Sequence, residues 1–369
     1  MGNIAPLGGD TALDFSRNEF TGAIGDSVTV LPFVVAIAVL SDLSLALMLV
    51  WFGVFQIVWG MYHGAPISVE PMKALAALIL AGTITVGEFL LAGMILAVVL
   101  LVLGATGTLA VLGKYIGNPV VRGVQFGVAL VLVETGLRIG VSDPRLAGLS
   151  VGVAVLLVAL GYWNVTAIVV LVLGGLIAGT RTGVPSPTIP SSDGLFLVSQ
   201  ASLTLPTIEA TLAQLAMTIG NAALAASVLL SDYFDRDVSP DELSTSMGAM
   251  NLVSIPLGAL PMCHGSGGIA GKYAFGARTA GANVVLGVGY IAVALLAVGL
   301  VSAYPLSVLG VILVLIGLQL GATSIRGTEA YPLVLGIGAL GVVINLGVAF
   351  VAGIVVYPLA RRRTGLVDR

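Results

Sequence analysis

Charge is what this chain has least of. Asp, Glu, Lys and Arg make up 9% of its 369 residues, against 58% hydrophobic, and the mean hydropathy is +1.10. Soluble domains carry about 25% charged residues, so a water-facing surface around a chain of this length is excluded. Cysteine is nearly absent too: Cys263 stands alone and excludes an intrachain disulfide. The two histidines, His63 and His264, belong to no zinc-ligand pattern, and no phosphate loop or nucleophile–base arrangement occurs. The chain is therefore read as a non-enzyme with no cofactor and no metal. It has no basic run of nucleic-acid-binding length. Its first ten residues, MGNIAPLGGD, lack the basic-then-apolar layout of a cleaved signal.

Apolar sequence, by contrast, is abundant. Runs suited to about 30 Å of hydrocarbon recur near 21–41, 43–62, 74–83, 88–112, 119–139, 146–163 and 165–180. After a Pro/Ser-rich stretch at 182–194, they resume near 206–230, 246–260, 268–280, 283–302, 305–322, 330–344 and 346–360. That makes about fourteen segments, seven on each side, of which the third and tenth are too short to span as helices alone.

The first parts of the two halves resemble one another at a single spacing. Ile24-Gly25 matches Ile219-Gly220, Asp26 stands opposite Asn221, Gly53 opposite Gly248 and Pro66 opposite Pro261. Later pairs, Pro119 with Pro305 and Asn164 with Asn345, keep the order at a shorter spacing. Self-similarity of this kind predicts an all-α polytopic membrane protein built as a seven-plus-seven repeat. Residues 1–181 form the first repeat, 182–205 the connecting loop, and 206–369 the second repeat with a short basic tail. An odd number of spans per repeat inverts the second relative to the first. Arg17, Lys114, Arg236, Arg326 and Arg361 to Arg363 fall on one side, which the distribution of basic residues makes cytoplasmic together with both termini.

Two polar breaks interrupt this apolar chain, APISVEPMK at 65–73 and PMCHGSGGIAGK at 261–272. In lipid, irregular backbone survives only where protein or a solvated cavity satisfies it, and carriers place their substrate sites at such broken helices. A helix starting at mid-membrane presents N–H groups without intrahelical acceptors and a partial positive charge. Two such ends facing each other form an anion cradle. Gly265, Gly267 and Gly268 let an oxyanion approach the backbone, and Ser266 and Ser68 add hydroxyl donors. The alternative role for these glycines is close helix packing.

Ionisable residues inside the membrane are functional candidates. Asp26, Glu70 and His264 are the candidates for carrying a coupled proton, with Na+ as the other coupling ion. Glu70 and Lys73, three residues apart, are positioned to neutralise each other. Gln214, Thr218 and Asn221 form a polar stripe, serving either substrate or interhelical hydrogen bonds. Lys272 and Arg278 are expected to snorkel to the membrane interface.

The stretches GDSVTVLPF (25–33), PISVEPMKALAA (66–77) and PMCHGSGGIAGKYAFGAR (261–278) resemble the hallmark segments of the molybdate-transporter family, within the sulfate-permease (SulP) superfamily. The resemblance runs through nearly the whole chain. It implies the inverted-repeat fold shared with nucleobase transporters such as UraA, with a core domain moving against a gate domain, often as a homodimer. It also implies substrate contacts from Asp26 and Thr29 on the first segment and from Ser68 and Glu70 on the third. Thr218 and Asn221 would contribute from the eighth segment, and His264, Gly265, Ser266, Gly267 and Gly268 from the tenth. Two departures stand out: the family usually has glutamine at Glu70, and glutamine and arginine at Lys272 and Ala274. The missing STAS domain agrees with the molybdate branch. The expected function is secondary transport of molybdate across the plasma membrane. Alternatives are a sulfate or general oxyanion permease, a nucleobase permease of the same fold, a channel and a non-transporting sensor.

Overall fold

The computed structural model describes residues 13–183, 195–296, 298–326 and 328–364. Residues 184–194 of the connecting loop expected at 182–205 lie outside these residues. Helix α1 (Arg17–Leu40) carries Pro32. Its halves, Arg17–Val28 and Val30–Leu40, meet at 42°, because the proline ring removes one hydrogen bond and collides with the carbonyl four residues back. Helix α2 (Leu45–His63) is capped by Ser44 and stops at Gly64, whose φ of 61° is the left-handed turn that glycine adopts freely.

The first break follows. Strand β1 (Glu70–Pro71) leads into α3 (Lys73–Ala81), a helix of only nine residues. Then come α4 (Val86–Thr106), opened by a Thr85–Glu88 capping box, and the short α5 (Leu109–Ile116). The single segment expected at 88–112 is thus two helices, because Gly107 takes a left-handed φ of 66° and ends the first. The first half closes with α6 (Asn118–Gly140), α7 (Pro144–Ala159) and α8 (Thr166–Thr182).

The second half begins with α9 (Leu205–Met217), a π-helical stretch at Thr218–Ala225, and α10 (Ala226–Phe234). Helix α11 (Pro240–Ser254) starts six residues before the expected 246, since Ser239 caps it and proline is favoured in the first turn. The second break repeats the first: strand β2 (Met262–Cys263) precedes the nine-residue α12 (Ser266–Ala274). Helices α13 (Gly281–Leu296), α14 (Leu306–Arg326), α15 (Tyr331–Val343) and α16 (Leu346–Thr364) complete the described chain.

The protein is a multi-pass, mostly helical membrane protein. Six described helices are individually long and apolar enough to cross a bilayer, seven with the bent α1. The other segments are shorter or broken, so the expected fourteen are not all full-length spans. The two breaks meet: β1 and β2 pair antiparallel, Glu70 opposite Cys263 and Pro71 opposite Met262. They are each other's hydrogen-bond partners, which is how unwound backbone is tolerated at this depth.

The helices form two packed groups. In one, α1 to α4 interlock with α9 and α11 to α13; in the other, α6 to α8 pack with α14 to α16. Gly53 on α2 and Gly287 on α13 face each other so closely that a Cβ on either would strike the other's carbonyl oxygen region, a contact only glycine permits.

Candidate functional site

A cavity of about 710 Å³ lies between the two groups, walled by both breaks, the π-helical stretch, α6 and α14. Its lining includes Glu70 and Lys73 from the first break, Cys263 to Gly267 from the second, and Asn221 from the π-helix. Arg122 and Gln125 contribute from α6. The π-helix is itself informative, since this rare geometry gathers at functional sites. It shifts the register, so Asn221 reaches the cavity while Thr218 stays buried and accepts from Gln214 Nε2 at 3.0 Å. Asn221 Nδ2 donates to Gln125 Oε1 at 3.3 Å, linking the two helix groups across the cavity.

Glu70 is the centre of the site. Its Oε1 accepts from the backbone N–H of Gly268 at 2.6 Å, and its Oε2 lies 2.5 Å from Lys73 Nζ. A carboxylate therefore rests on the first turn of α12, where unpaired amides and the helix dipole favour negative charge. The N–H groups of Ser266 and Gly267 open the same helix and have no acceptor within it. The pairing of Glu70 with Lys73 agrees with the spacing argument.

The remaining predicted residues are arranged behind this wall. Ser68 Oγ donates to Asp26 Oδ1 at 2.6 Å, and Gln56 Nε2 donates to Asp26 Oδ2 at 2.7 Å. Asp26, Ser68, Thr218 and Gly268 are fully or almost fully buried and do not line the cavity. Thr29 lies in α1, with a side chain outside the described residues.

His264 uses both ring nitrogens within the protein. Nδ1 is 3.0 Å from the Ser68 carbonyl, which can only accept, so Nδ1 carries the proton and Nε2 accepts from Ser246 Oγ at 2.7 Å. In this arrangement the imidazole ties the two breaks to α11.

Lys272 overturns its expectation. It does not snorkel: it is fully buried and 3.1 Å from Asp26 Oδ2. The reason is tertiary, because α1, α2 and α13 close over it with their own oxygens. Arg278, in contrast, is exposed and stacks over the Tyr273 ring at 3.9 Å.

Sequence reasoning missed Gln56, Asn251 and Asn283. Asn251 donates to Met262 O at 2.6 Å and accepts from Met262 N at 2.7 Å, serving β2 as a substitute peptide. Each of the three is a lone amide in or beside an apolar run, and that was the available signal. Gln214 was placed on the polar stripe, but its role is specific: Oε1 accepts from Ala74 N at 2.8 Å and caps α3. Replacing Gln214 with leucine orphans that buried N–H, which costs about 1–3 kcal/mol. We expect a melting point several degrees lower in detergent by differential scanning fluorimetry; an unchanged value would mean that the cap is dispensable.

A family profile described as "Molybdate transporter of MFS superfamily" matches residues 18–132 and 206–320. The chain belongs to the molybdate transporter family. Molybdate transporter 2 of Arabidopsis thaliana is 29% identical over 94% of this chain and 88% of its own length. Molybdate transporter 1 of Chlamydomonas reinhardtii is 26% identical over 94% of this chain and 92% of its own. Among solved structures, the transmembrane domain of the cyanobacterial bicarbonate transporter BicA superposes with a TM-score of 0.68 at 19% identity, covering 91% of this chain and 97% of that one. Murine Slc26a9, an anion transporter in the inward-facing state, gives 0.66 at 14% identity, covering 94% of this chain and 68% of that one. This molybdate transporter family member therefore has the fold of the sulfate-permease superfamily, which it shares with UraA. Like the rest of its family it is a membrane transporter and not an enzyme.

Proposed function

We propose that this protein carries molybdate by alternating access, holding the dianion in the cavity where α3 and α12 begin. The observation that supports this most directly is the position of Glu70. The protein's own carboxylate rests on the Gly268 amide and the Lys73 ammonium, so the cradle is already suited to an anion. Molybdate would take over these donors together with the Ser266 and Gly267 amides. Lys73 and Arg122 add positive charge to the cavity wall.

Charge balance suggests the coupling. Asp26 with Lys272 and Glu70 with Lys73 form two neutral pairs. An entering dianion unbalances a low-dielectric site, and a proton delivered to Glu70 offsets one of its two charges and frees the two donors that Glu70 holds. Uphill transport would then draw on a proton gradient, with Asp26 and His264 serving mainly to hold the breaks in place.

Alternating access has a matching geometry. The main cavity opens near the start of α6 and the ends of α10 and α14, whereas a second one, about 430 Å³, lies at the other end of α6 beside Ala81, Glu134 and Glu209. In the wall of this second cavity, Arg138 Nη2 on α6 donates to the Ala81 carbonyl at the end of α3 at 3.0 Å, bridging the two helix groups. With the Arg-rich end cytoplasmic in a plasma membrane, this arrangement is inward-facing. The equal-length profile matches in the two halves support the division into repeats.

The test is radiolabelled molybdate uptake into proteoliposomes, challenged with tungstate, sulfate and uracil. We expect saturable uptake, blocked by tungstate, weakly affected by sulfate, and lost in Ser266→Trp, whose indole would fill the cradle. Equal competition by sulfate would make it a general oxyanion permease. Uracil uptake without molybdate uptake would overturn the substrate class, and unsaturable flux would indicate a channel.

A further inference from the structure

The feature that transport of an anion does not by itself explain is a lysine sealed from solvent. Lys272 Nζ lies 2.8 Å from Gln56 Oε1, 2.8 Å from Asn283 Oδ1, 2.5 Å from the Ile67 carbonyl and 3.1 Å from Asp26 Oδ2. These oxygens come from α2, α13, the unwound backbone before β1, and α1. An ammonium has three N–H groups, so four oxygens exceed its donors and the carboxylate is held by charge.

The oxygens do not depend on the lysine for their orientation. Asn283 Nδ2 donates to the Gln56 and Ile67 carbonyls, both at 2.8 Å, which turns its Oδ1 toward the centre. Gln56 Nε2 donates to Asp26 Oδ2 and to the Val69 carbonyl, at 2.7 and 3.2 Å, which turns its Oε1 the same way. Asp26 is fixed from its other oxygen by Ser68. All these side chains are fully buried. A carboxylate, two amide oxygens and one unwound carbonyl converging on a point form the donor set of a hard cation. Carriers with broken helices bind Na+ on such unwound carbonyls.

We infer that the Lys272 ammonium is a resident cation filling a site built for a small monovalent metal ion. This carrier therefore works without Na+, and it acquires a Na+ requirement when the ammonium is removed. The uptake arm of the test rests on the transport reading above; the stability arm does not.

Two measurements decide it. In proteoliposomes, wild-type molybdate uptake should be the same in NaCl and in choline chloride; a Na+ requirement of the wild type would overturn the inference. In detergent, Lys272→Ala leaves room for an ion in the cage. Its melting point should rise with 100 mM NaCl or LiCl over choline chloride by about 3 °C or more, as for a ligand bound only by the folded state, while the wild type stays unmoved. Lys272→Met removes the charge but keeps the cage filled, so it should show no cation response. Purification of Lys272→Ala in NaCl but not in choline would support the inference equally. A folded Lys272→Ala that ignores Na+, Li+ and K+, or one that fails to fold in all of these salts, would overturn it. Absence of molybdate uptake in every protein, with the Na+ stabilisation of Lys272→Ala intact, would reject the substrate and leave the cation site standing.

Discussion

Alanine at position 268 is expected to cut transport by about a hundredfold. A Cβ there would meet Asp26 Oδ1, Ser68 Oγ and Glu70 Oε1 together, well inside contact distance. None of the three can retreat easily: Asp26 is held by Gln56 and Lys272, Ser68 is short and bonded to Asp26, and Glu70 is tied to Lys73. Overpacking of this kind costs roughly 1–3 kcal/mol, and it is relieved only if α12 moves away from the first break. A shift of about 1 Å at a binding site can cost a hundredfold in rate, so initial uptake should fall to roughly one hundredth of wild type.

The neighbouring position provides the control. A Cβ at Gly267 would meet only Lys73 Nζ at 3.9 Å and Glu70 Oε1 at 4.0 Å, ordinary contact distances. Gly267→Ala should fold normally, with a melting point in detergent close to that of the wild type. Wild-type uptake by Gly268→Ala would mean that the close apposition of the two breaks is not required.

The second large effect belongs to Glu70. Two unit charges 4 Å apart interact by about 4 kcal/mol at an effective dielectric of 20. Lys73 offsets part of this repulsion toward an anion, so Glu70→Gln should tighten tungstate binding at neutral pH by about ten- to a hundredfold. A neutral amide also makes a weaker acceptor for the Gly268 N–H than a carboxylate does, and substrate displaces it more readily.

A proton carried on Glu70 together with the substrate would free Lys73 and the Gly268 amide for the anion, and glutamine cannot carry that proton. Uptake by the variant should no longer accelerate when the outside is made acid. Equilibrium binding of tungstate at neutral pH checks the affinity of the variant, and proteoliposome uptake with an imposed proton gradient checks the coupling. Identical pH responses in the two proteins would remove Glu70 from the coupling.

Much of the fold was legible before any coordinates. Scarce charge and recurring apolar runs require a multi-pass membrane protein, because no other solvent accommodates such a surface. The proline-led breaks were visible at Pro66 and Pro261, since unwound backbone in lipid must have a partner. Their antiparallel pairing, Glu70 opposite Cys263, supplies it. The capacity of Glu70 and Lys73 to pair was equally readable, because the two stand three residues apart in the chain, although they lie across the junction of β1 and α3 and not on one helix face.

The partners of isolated polar residues were not legible. Sequence spacing relates residues within one helix, whereas Lys272 is surrounded by oxygens from four separate elements. A lone lysine near a helix end has the same sequence signature whether it snorkels or is enclosed. Gln56 and Asn283 lie 227 residues apart yet share a hydrogen bond, which no local pattern encodes. Sequence thus determined that this protein lies in a membrane and where the two polar breaks interrupt its helices. Tertiary packing decided which side chains reach the cavity, which hold its wall from behind, and that the cradle contains a carboxylate of the protein's own. The physical reason is that the cost of burying a polar group is fixed by its type, while its compensation comes from whatever distant chain folds against it.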